Sequence, residues 1–361
     1  MQDSVSISKP WLLQIDTVGR DDHFFHAGGN SLLATRMQAR VLARTGLAFQ
    51  MSAFYRSPTI SGLVAGAARD DIARAVADAA APVAPDVGTH REAGAKSIRN
   101  VILTGASGFF GIHLLSELTR QVDRVFCLQR CDTARAGHAR LEREARTAGL
   151  AIDFTHMEVV QADLTLPQAG LSDADWHRLA GEGDAVWHCG AHVHHLLGYS
   201  SLKAANVDST ENLLRLAVTT RRKPFCFVST MSVPLMLEGV ASAEEQVGTE
   251  RPASDNGYLL GKWVSEQRVA AYARAAGLPV TIARIGNVTG HSKSGYSNYR
   301  NNHFWLFNQS CVQFGAYPDN GQMIEMTPVD VLARALGALA LHPRAGLHVA
   351  NLQNPARIGQ R

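Results

Sequence analysis

Short apolar runs that alternate with amphipathic segments of helical length constrain the fold of this 361-residue chain more than any other feature. The runs lie at residues 101–103, 125–128, 159–161, 185–187, 225–228 and 280–283. Strands that are joined through helices need crossover connections, which are right-handed and give a parallel sheet covered by helices on both faces. The sequence therefore predicts an α/β domain with a doubly wound parallel sheet.

The chain before residue 97 has a different pattern. Residues 31–44 and 59–68 carry apolar side chains at helical spacing, and no run before residue 97 is typical of a strand. Residues 65–96 are rich in alanine and contain two prolines, which predicts a helical tail followed by a linker. We therefore divide the chain into a small all-α bundle at 10–68, a linker at 69–96 and the α/β domain at 97–361.

Charge and composition argue against several classes of protein. The formal net charge is +3, so no basic excess indicates nucleic acid or an anionic membrane as a partner. The longest apolar runs are far shorter than the roughly 20 residues of a membrane span, and the first residues do not form a signal peptide. The five cysteines lack metal-type spacing, which favours buried thiols in a soluble protein of the reducing cytoplasm.

Three glycines follow the first predicted strand. The sequence Thr-Gly-Ala-Ser-Gly-Phe-Phe-Gly at 104–111 leaves that strand and opens a helix, which is the context of a Rossmann-like dinucleotide fingerprint. The first glycine permits a tight turn, the second a close approach of the pyrophosphate, and the third tight packing of helix on strand. We expect this segment to contact the cofactor through Thr104, Gly105, Ser107, Gly108, Phe109 and Gly111.

The end of the second strand indicates which dinucleotide binds. This strand ends in Cys-Leu-Gln-Arg130, without the acidic residue that would hold an unphosphorylated ribose. Arg130 can instead pair with a 2′-phosphate, which favours NADPH over NADH, although a solvated surface charge is the alternative. Asp163 and Leu164 follow the third strand, where they either border the adenine or form an ordinary turn.

Tyr258 and Lys262 are four residues apart and share one face of a predicted helix. An ammonium group near a phenol lowers the pKa of the phenol, so the pair predicts a proton donor or acceptor at working pH. Thr230 and Ser232 follow the fifth strand, and the carboxyl ends of parallel strands face the ligand crevice. We expect Thr230 to hydrogen-bond a substrate carbonyl oxygen beside Tyr258, with Ser232 as the alternative.

Ser31 follows two glycines and an asparagine and directly precedes an apolar helical pattern. The free amide groups and the dipole of a helix N-terminus favour a phosphate group, although a simple N-cap is the other reading. Asp-x-Phe-Phe-x-x-Gly-Gly-x-Ser-Leu-Leu-Ala, within residues 11–68, resembles the acyl and peptidyl carrier proteins. The resemblance implies that a phosphopantetheinyl transferase attaches 4′-phosphopantetheine to Ser31, which then tethers a thioester and is not catalytic.

Residues 98–355 resemble the thioester reductase domains of the extended short-chain dehydrogenase/reductase family. The motifs that carry this resemblance are Thr-Gly-x-x-Gly-Phe-x-Gly, Cys-Leu-x-Arg, Asp163-Leu164, His188-x-Gly-Ala191, Asn206-Val207, Ser229-Thr230 and Gly257-Tyr258-x-x-x-Lys262-Trp-x-x-Glu266. Such domains terminate some nonribosomal peptide synthetases, carboxylic acid reductases and aminoadipate reductases. The resemblance implies upstream synthetase modules and NADPH-dependent release of an acyl or peptidyl thioester as an aldehyde, or further to the alcohol.

The same resemblance assigns roles to three basic residues. It implies that Arg130 contacts the NADPH phosphate with help from Arg140, and that Lys262 also binds the nicotinamide ribose. The chain departs from the family at His194, which replaces an asparagine, and at Arg284-Ile285-Gly286, which replaces Arg-Pro-Gly. Family members commonly continue beyond the segment that matches 351–355, so we expect the smaller C-terminal subdomain to be truncated here.

Histidines and aromatic residues suggest two further features. His192, His194 and His195 are spaced so that they could approach zinc, but no cysteine or carboxylate completes the set, so we predict no metal and place them at the crevice wall. A second group either lines an acyl channel or packs in the core, namely Tyr296, Tyr299, Phe304, Trp305 and Phe307.

Two other functions fit part of this pattern. A nucleotide-sugar epimerase or dehydratase of the same superfamily would prefer NAD and would have no use for a carrier, so Arg130 and Ser31 argue against it. A dinucleotide-binding sensor with an inactive site would be expected to lose the pair of Tyr258 and Lys262, which is intact.

Overall fold

The computed structural model describes residues 17–45, 49, 51–85, 97–194, 197–237, 246–299, 302–316 and 323–359. The predicted linker residues 86–96 and His195 therefore lie outside the described residues. The helices are α1 Ser31–Thr45, α2 Met51–Arg56, α3 Ile60–Ala80, α4 Phe109–Leu118, α5 Ala134–Thr147, α6 Asp173–Glu182, α7 Tyr199–Lys203, α8 Ser209–Val218, α9 Ser232–Leu235, α10 Gly257–Ala276, α11 His303–Phe314 and α12 Val329–Ala340. The strands are β1 Asn100–Thr104, β2 Arg124–Gln129, β3 Met157–Gln161, β4 Ala185–His188, β5 Phe225–Thr230, β6 Val280–Ile285, β7 Val288–Thr289, β8 Met323–Glu325, β9 Thr327–Pro328, β10 Leu347–Leu352 and β11 Arg357–Gly359.

Seven parallel strands form the main sheet, in the order β10-β6-β5-β4-β1-β2-β3. The chain first runs outward from β1 to β3 and then returns to β4 on the other side of β1. The strand order therefore reverses between β1 and β4, which is where open α/β sheets bind their ligands. The prediction of a doubly wound parallel sheet is confirmed.

The two faces of this sheet have separate cores because side chains alternate along each strand. Leu103 packs with apolar residues of α4, α5 and α12 on one face. Its neighbour Ile102 packs with α6, α8 and α10 on the other. Both faces are thus covered, and ligands can reach the sheet at its edges and strand ends.

The N-terminal region is helical, as predicted. Phe24, Ala34, Phe49 and Phe54 are buried together among its helices. Of all the helices that the structure describes, none combines the length and apolar character needed to cross a bilayer.

Helix α3 extends past this bundle onto the α/β domain. Ala75 packs with Tyr199 of α7 and Leu260 of α10. Asp71 accepts hydrogen bonds from the backbone nitrogen and the hydroxyl of Ser200, at 3.1 and 2.6 Å. Residues 71–80, which open the predicted linker, are thus helical and packed; the exact domain boundaries stay a prediction.

Two small sheets lie outside the main sheet, and three of their four strands fall between β6 and β10 in sequence. β7 pairs with β9 in parallel, and β8 pairs with β11 in antiparallel orientation. Nδ2 of Asn302, the N-cap of α11, donates a hydrogen bond to the carbonyl oxygen of Val288 in β7 at 3.3 Å, and the smaller C-terminal subdomain stays a prediction.

Candidate active site

A cavity of about 590 Å³ opens at the carboxyl ends of the central strands. It lies at the predicted switch point, because its walls come from the segments after β1, β2, β3 and β4 and from the end of β5. The predicted site residues in its wall are Gly105, Ser107, Gly108, Gly111, Arg130, Arg140, Asp163, Leu164, Tyr258 and Lys262. Segments distant in sequence are thus brought to one site.

The glycine turn packs tightly against neighbouring backbone at two positions and borders the space of the cavity at Gly108. Gly105 has a φ of +77°, and a Cβ there would stand 2.7 Å from the backbone nitrogen of Gly190. A Cβ on Gly111 would collide with the carbonyl oxygen of Gly105. Since α4 begins directly after Gly108, its free amide groups border this space, and a dinucleotide pyrophosphate fits there.

Two of the predicted cofactor contacts lie outside this wall. The Thr104 hydroxyl is buried, accepts a hydrogen bond from the backbone nitrogen of Gly190 at 3.0 Å and pairs with Nδ1 of His188 at 2.8 Å. It therefore ties β1 to β4. Phe109 faces a neighbouring ring of its own helix, and it is Phe110 that lines the cavity.

Asp163 forms the turn that was one of the two alternatives, and its contact with the adenine stays a prediction. Its Oδ1 accepts hydrogen bonds from the hydroxyl and the backbone nitrogen of Thr165, at 2.6 and 2.9 Å, so it forms a turn. These bonds lower the pKa of its carboxyl group. The same residue lines the cavity beside Arg130 and Leu164, on the side where an adenine would lie.

Lys262 is almost fully buried and is held by β5. Its Nζ donates a hydrogen bond to the carbonyl oxygen of Val228 at 2.6 Å and lies 4.6 Å from the centre of the Phe227 ring. Burial lowers its pKa to about 8. Tyr258 lies one turn earlier on α10, where Asn256 caps the helix by accepting a hydrogen bond from Leu259.

The structure corrects one expectation about this pair. Burial raises the pKa of Tyr258 to about 12, whereas the sequence led us to expect that Lys262 would lower it. The ammonium group of Lys262 is directed at Val228, and desolvation of the phenol outweighs its influence. Tyr258 is therefore protonated at neutral pH, which suits a proton donor rather than a base.

The hydroxyl groups at the end of β5 have hydrogen-bond partners within the protein. Oγ1 of Thr230 accepts a hydrogen bond from the backbone nitrogen of Ser232 at 3.2 Å, and Thr230 is not among the residues that line the cavity. Ser229 does line it, but its hydroxyl donates to Glu266 at 2.6 Å. The role of Thr230 stays a prediction.

Sequence reasoning missed three polar residues of the wall, Gln129, Thr165 and Cys189, whereas His192 lines it as expected. Burial raises the pKa of the Cys189 thiol to about 11. Gln129 is 6% exposed, and neither its side-chain oxygen nor its nitrogen has a partner among the described residues. The sequence held no signal for this residue, because Gln129 reads as an ordinary end of a strand.

Among the described residues of the predicted histidine and aromatic groups, only His192 lines the cavity. Nδ1 of His194 accepts a hydrogen bond from the backbone nitrogen of Leu197 at 3.1 Å. Across the described residues, no three metal-ligating side chains gather. Phe304 and Trp305 pack edge to face on α11, outside the cavity wall, so the acyl channel stays a prediction.

Ser31 is the first residue of α1 and is exposed. The capping bond comes from Asn30, whose Oδ1 accepts a hydrogen bond from the backbone nitrogen of Leu33 at 3.0 Å. The N-cap is therefore Asn30, and the simple reading of Ser31 as the cap is wrong. Its hydroxyl stands at a helix N-terminus that can accept a phosphate.

Known families match both parts of the chain. A family model for an NAD-binding domain, described as Male sterility protein, matches residues 103–336, more than half of the chain. The chain belongs to this family. A second model, described as phosphopantetheine attachment site, matches residues 12–66 and includes Ser31. The two matches confirm the predicted classes of cofactor, namely a nicotinamide dinucleotide and a phosphopantetheine arm.

Three similar proteins each match most of this chain. A linear gramicidin synthase polypeptide of Brevibacillus parabrevis is 30% identical over 95% of this chain and 7% of its own length. The terminal R domain from the myxalamid PKS-NRPS biosynthetic pathway is 36% identical with a TM-score of 0.75, covering 80% of this chain and 74% of that one. A thiolation-reductase di-domain from an archaeal non-ribosomal peptide synthetase is 25% identical with a TM-score of 0.63, covering 96% and 76%.

These matches confirm the predicted resemblance to a carrier followed by a reductase domain. The chain spans between 6% and 29% of the length of the curated relatives it matches.

Proposed function

We propose that this chain reduces a thioester carried on Ser31 to an aldehyde, with NADPH as the source of hydride, and so releases an acyl or peptidyl group. One observation carries this proposal. The same chain contains an exposed carrier serine and a cavity that is lined by a glycine turn, Arg130, Tyr258 and Lys262. Relatives that are named as synthetases and reductases support it.

Reduction of a thioester to an aldehyde adds a hydride at the carbonyl carbon and a proton, and it expels a thiol. A bound nicotinamide supplies the hydride. The glycine turn holds the pyrophosphate, and Arg130 and Arg140 pair with the 2′-phosphate. The protonated phenol of Tyr258 and the hydroxyl of Thr230 hydrogen-bond the carbonyl oxygen and stabilise the negative charge that develops on it.

Lys262 supports the proton transfer from Tyr258. Its ammonium group lies one helical turn from Tyr258 and stabilises a phenolate that forms when the phenol gives up its proton. The bond to Val228 fixes the ammonium group between α10 and β5, so little reorganisation is needed during the reaction.

The carrier supplies the substrate by tethering. A phosphopantetheinyl transferase modifies Ser31, upstream synthetase modules load the acyl or peptidyl group, and the shared chain raises the local thioester concentration to about millimolar. The five cysteines are free thiols, which is consistent with a reducing cytoplasm. A second hydride transfer would give the alcohol.

Arg130 and the carrier argue against an epimerase or dehydratase. The inactive sensor is the alternative that the experiment must exclude. The full chain is loaded with an acyl-phosphopantetheine on Ser31, and NADPH oxidation is followed at the nicotinamide absorbance while the product is identified by mass spectrometry. We expect stoichiometric aldehyde release. NADPH binding without turnover of any thioester would favour the sensor.

Two variants separate the roles of the parts. Tyr258→Phe is expected to lower kcat on the order of a hundredfold or more while the Kd for NADPH stays unchanged. Tyr272→Phe, a tyrosine on the same helix α10 but outside the cavity wall, is the matched control. Ser31→Ala should abolish modification and release from the carrier but retain reduction of a free acyl-coenzyme A.

A further inference from the structure

Gln129 is the last residue of β2 and an exception among the buried amides of this protein. Within the described residues it is the only side chain with both polar ends buried and unpaired. Asn206, which is equally buried, satisfies both ends by bonding the backbone nitrogen and oxygen of His192, at 2.7 and 3.1 Å. Leaving a buried amide unpaired is costly, so such groups usually have a partner in the functional state of a protein.

The cavity supplies the place for that partner. Gln129 lines it together with Arg130 and Arg140, the two residues proposed to hold the 2′-phosphate. Arg130 follows Gln129 directly, whereas Arg140 comes from α5, so Gln129 is part of the wall that both arginines share.

The position of Gln129 in the fold is also informative. In Rossmann folds the carboxylate that holds the ribose 2′-hydroxyl of NAD stands at the end of the second strand, about 20 residues after the first glycine. Gln129 ends β2 at 129 − 105 = 24 residues after Gly105. An amide therefore occupies the place of that carboxylate.

An amide and a carboxylate differ in the hydrogen bonds that they can form with a ribose and its phosphate. A carboxylate only accepts hydrogen bonds and repels a phosphate, whereas a glutamine both donates and accepts. We propose that Gln129 is a specificity-determining residue whose Nε2 donates to the 2′-phosphate of NADPH and whose Oε1 accepts from the adjacent ribose hydroxyl. This inference rests on the proposed use of NADPH.

Binding measurements on the full chain test it without relying on turnover. The Kd values of NADPH and NADH are measured by nicotinamide fluorescence, and those of 2′,5′-ADP and 5′-ADP by calorimetry. Gln129→Leu should weaken NADPH and 2′,5′-ADP about ten- to a hundredfold, the range for a hydrogen bond to a charged group, and should weaken NADH and 5′-ADP far less. Gln129→Glu should lower the preference for NADPH further, because it places a negative charge beside the phosphate.

A second measurement separates recognition from a structural role. Because the amide has no partner among the described residues, Gln129→Leu should leave the Tm of the cofactor-free protein unchanged or raise it. Gln121→Leu is the control, since that exposed glutamine bonds Glu117 and lies outside the cavity wall. It should change neither Tm nor the ratio of the two Kd values by more than about twofold.

Three outcomes overturn the inference: an equal loss of affinity for NADPH and NADH in Gln129→Leu, no loss for either, or a fall in Tm as large as that of a core substitution. Failure of the proposed function would look different, because wild-type protein would then bind neither dinucleotide or would oxidise no NADPH with a thioester. Wild-type turnover with an unchanged preference in Gln129→Leu would refute only the role of Gln129.

Discussion

A buried ion pair holds the helix that carries Tyr258 and Lys262. Nη2 of Arg284 on β6 lies 2.6 Å from Oε2 of Glu266 on α10, and the two side chains are 0% and 1% exposed. Arg284→Met removes the cation but leaves the carboxylate buried, which should lower the free energy of unfolding by about 3–5 kcal/mol. Glu266→Leu, which strands the guanidinium, should cost a similar amount.

The double variant should cost far less than the sum of the two single ones. Without both charges, the Ser229 hydroxyl loses a buried partner, at about 1–3 kcal/mol, whereas the carbonyl of Gln246, another partner of Arg284, belongs to an exposed residue that water can reach. Guanidinium denaturation followed by tryptophan fluorescence measures all four states of this cycle. Additive losses would refute the reasoning, since they would mean that each charge is stabilised independently of the other.

Three further predictions concern the cavity and the helix that joins the two parts. Turnover should fall as pH rises through about 8, because Lys262 loses its charge there while Tyr258, with a pKa of about 12, stays protonated. A pH profile of kcat/KM should show this decrease. The decrease should be absent from the residual activity of Lys262→Arg, because a guanidinium group stays charged in this range. Gly111→Ala should abolish NADPH binding measured by fluorescence, because its Cβ has no space beside the glycine turn; binding of wild-type strength would contradict the geometry. Asp71→Ala should lower the free energy of unfolding of the α/β domain by about 1–2 kcal/mol through loss of its bonds to α7, whereas the exposed Asp21→Ala should leave it unchanged.

The sheet and the glycine turn could be predicted because both depend on local pattern. The alternation of apolar runs with helical segments determines the class of sheet, and Gly105 and Gly111 are required by backbone geometry that any chain with this turn must share. The spacing of Tyr258 and Lys262 likewise determines their common helix face. The strand order then brings them to the same cavity.

Features that depend on tertiary burial could not be predicted. The pKa of Tyr258 rises because of desolvation, which no spacing shows, and Lys262 bonds a strand that is 34 residues away in sequence. The Thr104 hydroxyl turns inward to His188 although its sequence position resembles that of a cofactor contact. Gln129 reads as an ordinary end of a strand until the absence of a partner among the described residues is known.

Helix α3 shortens the part of the predicted linker that can act as a free tether. A tether acts through the length of chain that is free to move, and the alanine-rich start of the predicted linker is a helix whose Ala75 is fully buried against α7 and α10. Tyr199 of α7 donates a hydrogen bond to Asp78 at 2.6 Å, so this contact is polar as well as apolar. Because α10 also bears Tyr258 and Lys262, the helix that leaves the carrier supports the same element that carries the proposed chemistry. The orientation of α3, and not only the length of the linker, therefore bears on how a thioester on Ser31 reaches the cavity.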